Sequence, residues 1–365
     1  MKIALILPGN IWFAPYVRIY AKLLKQNSVD YSIISWNRDG KDEAEGFQYG
    51  EQLDVNNGSA GFKAYKGYVR FIKKTIKRER FDRLIVFGPQ MTCLLGTYLF
   101  GWKKKFIIDY RDLSIEQKPG LKQLFAFMTR LSYANVISSP GFKRCLPKRD
   151  YLISHNFDAE LVRQMIGKTE ENGFNTEKGI DVLTIGGIRD YPSNIEVVKA
   201  LANREGYTCR FVGKGGASQQ IEKYCTENDV KNVRFSGFYK KEEEPGFIKE
   251  ATFLNIFYPR IITHDTAMSN RFYNSLLFKR PMIVTKNTTQ GDYAEQYGLG
   301  VAVENCTNLA DELKCFAGND FDEYASHCNQ LLKLFLDDQE RFENCMNAFV
   351  TDGLSNTYIF NGGGK

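Results

Sequence analysis

The sequence predicts two doubly wound α/β domains in one chain, each a parallel sheet with helices on both faces. Its length of 365 residues suits two domains of ordinary size. Short apolar runs alternate with amphipathic segments from end to end, a pattern typical of strand–helix–strand units. A polar stretch at 167–179 interrupts this pattern, which then begins again. We therefore expect a first domain at 1–165, a second at 166–345, and a tail at 346–365 that crosses back to the first.

In the first half, short apolar runs predict six strands. They are Ile3–Leu7, Tyr31–Ser35, Arg83–Phe87, Phe106–Tyr110, Val136–Ser138 and Tyr151–Ser154. Amphipathic segments predict helices between them, at 16–26, 63–80, 90–101 and 121–133. The stretch 37–61 is polar and rich in Gly, Asn and Asp, which predicts a long loop, either without regular structure or with a short element inside it.

The second half repeats the scheme with six further strands. They are Asp181–Ile185, Cys209–Val212, Val233–Ser236, Thr252–Phe257, Met282–Thr285 and Val301–Val303. Helical patterns lie at 193–204, 217–228, 241–250, 267–278, 291–297, 308–316 and 321–350. Two such domains in one chain are expected to face each other across a cleft at the carboxyl ends of their strands.

Composition places the chain among soluble globular proteins, with 43% hydrophobic and 25% charged residues. Its apolar runs are too short or too interrupted by Gly to predict a membrane span. The opening MKIALILPGN lacks a signal peptide's long apolar region and cleavage site, so it predicts a buried strand. Eight cysteines without C-x-x-C spacing predict free thiols in a reducing compartment. We expect a cytoplasmic protein.

Glycine-bearing turns follow a strand at three places, namely 8–10 in the first half and 186–189 and 213–216 in the second. Glycine lets a ligand approach the backbone closely, and a following helix offers free N–H groups to an anion. Arg189 and Lys214 add positive charge, so the two later turns predict a diphosphate site. The alternative is tight turns with solvated cations. Complete G-x-G-x-x-G and G-x-x-x-x-G-K-[ST] motifs are absent, which argues against a dehydrogenase or P-loop NTPase.

The most specific stretch is SNRFYNSLLFKRPMIV at 269–284. It resembles the "(P/S)-(N/S)-K-x-x-E-x-(L/M)-A-x-G-x-P-V-I" pattern of GT-B glycosyltransferases, in particular the large retaining family 4 and its relatives. Arg271 stands for the usual Lys and Asn274 for the Glu. Further segments resemble the same family in order along the chain: 107–113, 138–142, 154–158, 184–189, 211–215 and 232–237. The resemblance implies a GT-B fold.

The resemblance also implies functional residues. Those that would bind the donor are Gly9, Gly187, Arg189, Lys214, Phe238, Asn270 and Asn274. Those that would act in catalysis are Asn10, Arg111, Asp112 and Arg271. On the second lobe, Arg189 and Arg271 would hold the leaving diphosphate and Asn274 the ribose. On the first lobe, Gly9 and Asn10 would lie against the donor sugar or diphosphate, and Arg111 and Asp112 would face the cleft and orient the sugars.

One departure concerns acidic residues. The family usually has two Glu residues eight apart across this helix, whereas Thr266 and Asn274 occupy that spacing here. Asp265 lies close enough in sequence to replace the first. A retaining reaction needs no protein base, and an inverting one would take Asp112 as its first candidate. Asp112 as a turn or helix cap and Asn274 as a solvated helix residue are the structural alternatives.

No metal and no cofactor are expected. The D-x-D motif at 320–322 opens a helix, where capping and first-turn charge explain it. Arginines and helix N-termini would take the place of a metal ion. The expected partners are therefore a nucleotide-sugar donor and a saccharide or lipid-linked acceptor.

Charge is unevenly distributed, with +13 on residues 1–157 and −7 on the rest. Eight cations and one acid fall at 63–80, and three lysines at 103–105. We expect peripheral contact with the anionic inner face of the cell membrane, or else an ordinary solvated helix; no nucleic-acid module is present. The predicted function is a glycosyltransferase of the hexosyltransferase type, in bacterial surface polysaccharide synthesis. A non-catalytic GT-B-like subunit and a nucleotide-sugar 2-epimerase are the alternatives.

Overall fold

A computed structural model describes residues 1–41, 43, 45–50, 62–168 and 173–352. They divide into two compact units. The first holds 1–138, 145–154 and the chain from Asp338 onward, and the second holds 139–144 and 155–337. These limits differ from the predicted 165/166 and 345/346. The differences have a packing cause, because Val162 lies in a core of the second unit and Phe342 in a core of the first.

The first unit is built on a seven-stranded parallel sheet of order β3-β2-β1-β4-β5-β6-β7. Its strands are β1 (Lys2–Ile6), β2 (Asp30–Trp36), β3 (Phe47–Tyr49), β4 (Arg83–Phe87), β5 (Phe106–Tyr110), β6 (Ala134–Ile137) and β7 (Leu152–Ile153). Its helices are α1 (Val17–Gln26), α2 (Phe62–Glu79), α3 (Pro89–Leu95) and α4 (Leu121–Leu131). A 3-10 helix at Gly96–Trp102 completes the predicted helix at 90–101.

The second unit is built on a six-stranded parallel sheet of order β10-β9-β8-β11-β12-β13. Its strands are β8 (Ile180–Ile185), β9 (Tyr207–Val212), β10 (Val233–Gly237), β11 (Phe253–Ile256), β12 (Met282–Thr285) and β13 (Gly300–Val303). Its helices are α5 (Ala159–Met165), α6 (Tyr191–Leu201), α7 (Ser218–Glu227), α8 (Glu244–Glu250), α9 (Ile262–Thr266), α10 (Asn270–Leu277), α11 (Thr289–Tyr297) and α12 (Leu309–Phe316). The long α13 (Phe321–Thr351) begins here and ends on the first unit.

Every predicted strand is present, and the prediction of two doubly wound α/β domains is confirmed. Among the described strands and α-helices, α5 and α9 were not predicted, and β3 was allowed for only as an unspecified short element. β3 falls in the predicted loop, because three half-buried residues at a sheet edge show no recognisable alternation. Parts of that loop, of the polar stretch at 167–179 and of the predicted tail lie outside the described residues.

Alternate residues of β8 enter different cores, since Leu183 and Ile185 pack on one face of the sheet while Ile180 and Val182 pack on the other. Both faces are therefore covered, as in doubly wound folds generally. In each sheet the strand order reverses once, between β1 and β4 and between β8 and β11. Ligands of such sheets bind beyond the carboxyl ends of the strands at this reversal. The fold thus marks two edges where a functional site is expected.

Helix α2 presents an apolar stripe to the first sheet and cations elsewhere. Tyr68, Ile72 and Ile76 are buried, as the helical spacing predicts. The exposed cations of this stretch are Lys63, Lys66, Arg70, Lys74, Lys77, Arg78 and Arg80. In the described part of the chain, no helix is long and apolar enough to cross a membrane. The eight cysteines are free thiols, six of them buried, as predicted.

Candidate functional site

The glycine turns after β8 and β9, together with Gly237 at the end of β10, lie side by side at the carboxyl edge of the second sheet. The backbone N–H of Gly213 donates to the carbonyl of Gly237 at 2.7 Å, and that of Ile188 donates to the carbonyl of Lys214 at 3.3 Å. The turns at 186–189 and 213–216 are therefore neighbours. They form a layer of main chain beside the point where the strand order reverses.

Close packing between these turns requires glycine at two positions. At Gly213, with φ of +127°, a Cβ would lie 2.1 Å from the carbonyl oxygen of Gly186. At Gly215 a Cβ would lie 2.0 Å from the carbonyl oxygen of Ile188. Gly187 and Gly216 are exposed instead. Gly213 and Gly215 thus allow the turns to pack closely. Gly187 and Gly216 leave exposed backbone that a ligand can approach.

Arg189 and Lys214 each project from one of the two turns. Both side chains are exposed, and neither makes an ion pair within the described part of the chain. Two unneutralised cations therefore project from neighbouring turns, with Arg189 against Gly187 and Lys214 near Gly237. An arrangement of this kind attracts an anion, with the guanidinium able to hold two oxygens at once.

Arg271 is 9% exposed and is anchored at the strand reversal. Its Nε donates to the carbonyl of Ile185 at 2.6 Å, Nη1 to that of Asn255 at 3.2 Å, and Nη2 to that of Gly187 at 3.0 Å. It thereby ties the end of β8 to β11. Three of its five N–H groups are engaged, which leaves two for a ligand. Arg271 therefore has a structural role in addition to the predicted phosphate contact.

Asn274 lies on α10 beside a carboxylate that the sequence analysis missed. Its Nδ2 donates to Oε1 of Glu244 at 2.7 Å. The hydroxyl of Tyr239 donates to Oε2 at 2.8 Å, and Nζ of Lys241 donates to Oε1 at 2.6 Å. Asn274 is half-buried and bonded, so the alternative of a solvated helix residue is wrong. Glu244 comes from α8, 30 residues away along the chain, and no feature of the local sequence indicates the contact.

The environment of Glu244 favours its ionised form. Burial alone would raise the pKa of this carboxyl, but the hydrogen bonds from Lys241, Tyr239 and Asn274 outweigh that effect and lower it. The same contact, together with burial, raises the pKa of Tyr239. A fixed negative charge therefore lies next to Asn274 at neutral pH.

Two other residues predicted to bind the nucleotide-sugar donor, Phe238 and Asn270, are exposed at the same edge. Phe238 is 80% exposed and follows β10 directly. Asn270 is the first residue of α10, and its Oδ1 accepts a hydrogen bond from Nδ2 of Asn156 at 2.7 Å. The helix start itself is capped by Ser269, whose hydroxyl oxygen accepts from the backbone of Phe272 at 3.3 Å. The side chain of Asn270 is thus partly engaged, and the ring of Phe238 is free to stack on a planar ligand.

In the first unit, Arg111 is buried rather than directed at a ligand. Its Nε and Nη2 donate to Asp109 at 2.6 and 2.7 Å, and Nη1 donates to the carbonyl of Ser154 at 3.0 Å. Tyr20 completes the cluster by donating to Asp109 at 2.5 Å. Burial by itself lowers the pKa of Arg111, but Asp109 reverses this and raises it. The guanidinium of Arg111 thus neutralises a fully buried carboxylate, and its role in orienting sugars stays a prediction.

Asp112 follows Arg111 beyond the end of β5 and is exposed. Desolvation of its carboxyl raises the pKa, and the neighbouring Arg111 lowers it by less, so the net shift is upward. A carboxylate with a raised pKa is a stronger base than an ordinary Asp. Neither helix capping nor any hydrogen bond of this side chain is recorded in the described residues. The capping alternative therefore finds no support.

Asn10 is 1% exposed and holds the loop that follows β2. Its Nδ2 donates to Asp39 at 2.8 Å and to Asn37 at 3.2 Å, while its Oδ1 accepts from the backbone of Arg38 at 3.0 Å. The side-chain amide of Asn10 is therefore engaged within the first unit, and its contact with a donor sugar or diphosphate stays a prediction. The backbone of Gly9 remains half-exposed.

Arg38 is a further cation at this edge that the sequence analysis left inside a loop. Its Nη2 donates to the carbonyl of Pro8 at 2.5 Å, and its guanidinium lies 4.5 Å from the ring of Trp36. Its Nε has no hydrogen-bond partner. Arg38 thus places a held positive charge next to Gly9.

The D-x-D motif caps a helix as predicted, with Oδ1 of Asp320 accepting from the backbone of Glu323 at 2.7 Å. Over the described ranges, no group of three or more His, Cys, Asp or Glu side chains is placed to hold a metal ion.

Comparison with known proteins identifies the fold. No protein-family model matches the chain, and no curated protein matches it. Among solved structures, Anabaena Alr3699/HepE in complex with UDP has a TM-score of 0.64 at 13% identity, covering 95% of this chain and all of that one. The lipopolysaccharide outer core galactosyltransferase WaaB has a TM-score of 0.63 at 15% identity, covering 97% and 100%. A candidate UDP-N-acetylglucosamine 2-epimerase from Listeria monocytogenes has a TM-score of 0.62 at 12% identity, covering 98% and 99%. Together with the two parallel sheets, these matches show that the chain has the GT-B fold.

Proposed function

We propose that this chain is a glycosyltransferase that moves a sugar from a nucleotide-diphosphate sugar to a saccharide or lipid-linked acceptor. The observation that carries the proposal is the presence of three cations, Arg189, Lys214 and Arg271, on the neighbouring glycine turns and at the strand reversal of the second sheet. Of the structural neighbours, HepE is described with bound UDP and WaaB as a galactosyltransferase of lipopolysaccharide.

The diphosphate of the donor would lie over the turns at 186–189 and 213–216. Arg189 would hold its oxygens in a two-point contact, and Lys214 would add charge. The two unengaged N–H groups of Arg271 would complete the set. As the bond between the sugar and the diphosphate breaks, negative charge grows on the leaving oxygen, and these cations stabilise it. They supply the charge that a divalent ion supplies elsewhere, so we propose a metal-independent reaction.

The nucleoside would extend toward α8 and α10. Phe238 offers a face for stacking on the base. The amide of Asn274 can both donate to and accept from a ribose hydroxyl, and Glu244 fixes its orientation because it takes one of the amide hydrogens. The Glu that the resemblance leads one to expect on α10 is thereby replaced by a carboxylate from α8.

The first unit would contribute to the acceptor side. Arg111 acts as a positioning residue that keeps Asp109 neutralised and the end of β5 in place, and Asp112 is the group able to receive a proton. In a retaining reaction the acceptor oxygen forms the new bond while its proton passes to the departing diphosphate oxygen. In an inverting reaction the proton would pass to Asp112. We propose the retaining course, with Asp112 orienting the sugars.

An assay of donor turnover tests the activity. Purified protein is incubated with UDP- and GDP-sugars, with and without saccharide acceptors, and free diphosphate and sugar products are measured. Transfer to an acceptor, or slow donor hydrolysis that Arg189→Ala reduces, is the expected result. Conversion of the donor to its 2-epimer with no diphosphate released would instead identify a 2-epimerase.

The second candidate is a non-catalytic subunit, favoured by the absence of the Glu pair from α10. It predicts a chain that does not bind a nucleoside diphosphate. A thermal shift on adding UDP or GDP separates the two, because only a binding chain is stabilised by the ligand.

We also propose peripheral membrane contact through the basic surface at 63–80 and 103–105, as part of bacterial surface polysaccharide synthesis. Two exposed aromatic side chains, Phe100 and Phe127, lie next to the lysines with ring centroids 5.4 Å apart. Aromatic rings beside cations suit a membrane interface, and each cation near an anionic surface adds about 1 kcal/mol. Cosedimentation with anionic vesicles should be appreciable at low salt and fall steeply as salt rises. Equal cosedimentation at high and low salt, or none at low salt, contradicts it.

A further inference from the structure

A second candidate site lies at the opposite edge of the first sheet. A cavity of about 1270 Å³ opens at the amino ends of β4, β5, β6 and β7, beside the end of α13. β4 and β5 each have five residues, so at about 3.3 Å per residue this edge is roughly 16 Å from their carboxyl ends. The cavity is therefore separate from the first-unit residues assigned above to the proposed transferase reaction.

Four cations from different segments line this cavity: Arg83, Lys104, Arg130 and Arg149. Within the described ranges none of them makes an ion pair. The acids in the lining are Asp150 and Asp352. The hydroxyl of Tyr133 donates to Asp352 at 2.8 Å, so one of the two acids is held by a neutral group. Four cations against two acids leave an excess of positive charge in the lining.

Two of these cations are held in place by the protein. Arg83 is 8% exposed, its guanidinium lies 4.8 Å from the ring of Phe349, and Nη1 donates to the carbonyl of the same residue. Nζ of Lys104 donates to the carbonyl of Ser132 at 2.9 Å. The Arg83 guanidinium makes one hydrogen bond within the described residues, so most of its five N–H groups are available to a ligand.

The walls are otherwise apolar and aromatic. Tyr133, Tyr151 and Leu152 line the cavity together with Ala134 and Ala348. A ligand that fits has a multiply charged anionic group for the cations and an apolar or planar part for these walls. Phosphate groups match the fork of arginine and the charge of lysine.

We propose that this cavity binds a phosphate-bearing ligand. Two sources share that chemistry, namely a free phosphorylated metabolite and the headgroup of an anionic lipid. Arg130 and Lys104 belong both to the cavity and to the neighbourhood of the basic surface at 103–105, which makes the lipid source accessible from a membrane face. The site acts independently of the proposed transferase reaction.

The first arm of the test uses pyrophosphate as the probe. Hydrogen–deuterium exchange is followed by mass spectrometry over peptides covering 129–135 and 149–152. Pyrophosphate is expected to slow exchange there, with at least tenfold weaker apparent affinity in the Arg130→Gln/Arg149→Gln double variant. Both of these side chains are exposed, so the fold should survive. Peptides covering 186–189 and 213–216 report the diphosphate site of the second unit separately.

Two further variants sharpen this arm. Arg204→Gln/Arg234→Gln removes the same charge from exposed positions of the second unit and should leave the affinity at 129–135 unchanged. Asp150→Asn removes a lining acid and should strengthen binding.

The second arm uses vesicles of phosphatidylglycerol against neutral phosphatidylcholine. Cosedimentation lowered at least tenfold in Arg130→Gln/Arg149→Gln, but not in the control double variant, identifies a lipid headgroup. Protection by pyrophosphate with the same variant dependence identifies a free phosphorylated ligand. The proposal is overturned when Arg130→Gln/Arg149→Gln and its control behave alike in both arms.

Discussion

Arg189 and Arg271 are predicted to bind the same diphosphate yet to differ in what they do for the fold. Arg271 donates to three main-chain carbonyls and joins β8 to β11. Arg189 is exposed, and its side chain makes no hydrogen bond with the described residues. Replacing each by Ala therefore separates binding from stability.

The expected magnitudes follow from these contacts. At about 1 kcal/mol per hydrogen bond, with buried carbonyls left unpaired, Arg271→Ala should lower the free energy of unfolding by about 3–4 kcal/mol. Arg189→Ala should change it by less than about 0.5 kcal/mol, as exposed substitutions do. Each variant should lose about 1.5–3 kcal/mol of diphosphate binding, or about 10- to 150-fold in Kd. Arg271→Lys keeps the charge without the fork and should fall between wild type and Ala in both properties.

Urea unfolding and titration calorimetry with UDP or GDP measure the two quantities on the same preparations. The reasoning is refuted if Arg271→Ala unfolds at the wild-type urea midpoint, or if Arg189→Ala is as unstable as Arg271→Ala. Unchanged diphosphate binding in both variants would show that the site is misassigned.

Three other predictions concern charge. Glu244→Gln should lower stability at pH 7 by about 1–2 kcal/mol, because three donors lose a charged acceptor, whereas Glu242→Gln at an exposed neighbour should not. The pKa of Glu244 is lowered in the folded protein. Its contribution to the free energy of unfolding is therefore present above the ordinary Glu pKa and is lost as pH falls through the folded value. The urea midpoints of wild type and Glu244→Gln should accordingly converge in acid. The pKa of Asp112 is raised in the folded protein, so its ionised form lowers stability at neutral pH. Asp112→Asn should therefore melt at or above the wild-type Tm at pH 7, and this gain should vanish below about pH 4. A lower Tm of the variant at pH 7 would contradict this. Chelation with EDTA should leave most transferase activity, and a complete loss that Mn²⁺ or Mg²⁺ restores would contradict the metal-independent assignment.

The fold was predictable because burial is written into short stretches of sequence. All five residues of β4 and of β5 are buried, and each strand contains a run of consecutive apolar residues, at 84–87 and at 106–108. The stripe of Tyr68, Ile72 and Ile76 on α2 has helical spacing, so its buried face could be assigned without knowledge of the neighbours. By contrast, β3 has three half-buried residues and is recognisable only by its pairing with β2.

The site was less predictable, since hydrogen-bond partners there come from distant segments. Glu244 and Asn274 are 30 residues apart, and nothing in either local sequence indicates the contact. Arg111 and Asn10 follow strands, as ligand-binding residues do, yet their partners Asp109 and Asp39 commit them to the interior. Position at a strand end was readable from the sequence, whereas the direction of a side chain depended on tertiary contacts.

The central claim is that the carboxyl edge of the second sheet binds the diphosphate of a nucleotide sugar. Titration calorimetry of the wild-type chain with UDP and with GDP tests it most directly. The account predicts that one of the two binds with one-to-one stoichiometry and that Arg189→Ala weakens it at least tenfold. Absence of binding by both nucleotides, or binding that Arg189→Ala leaves unchanged, would contradict it.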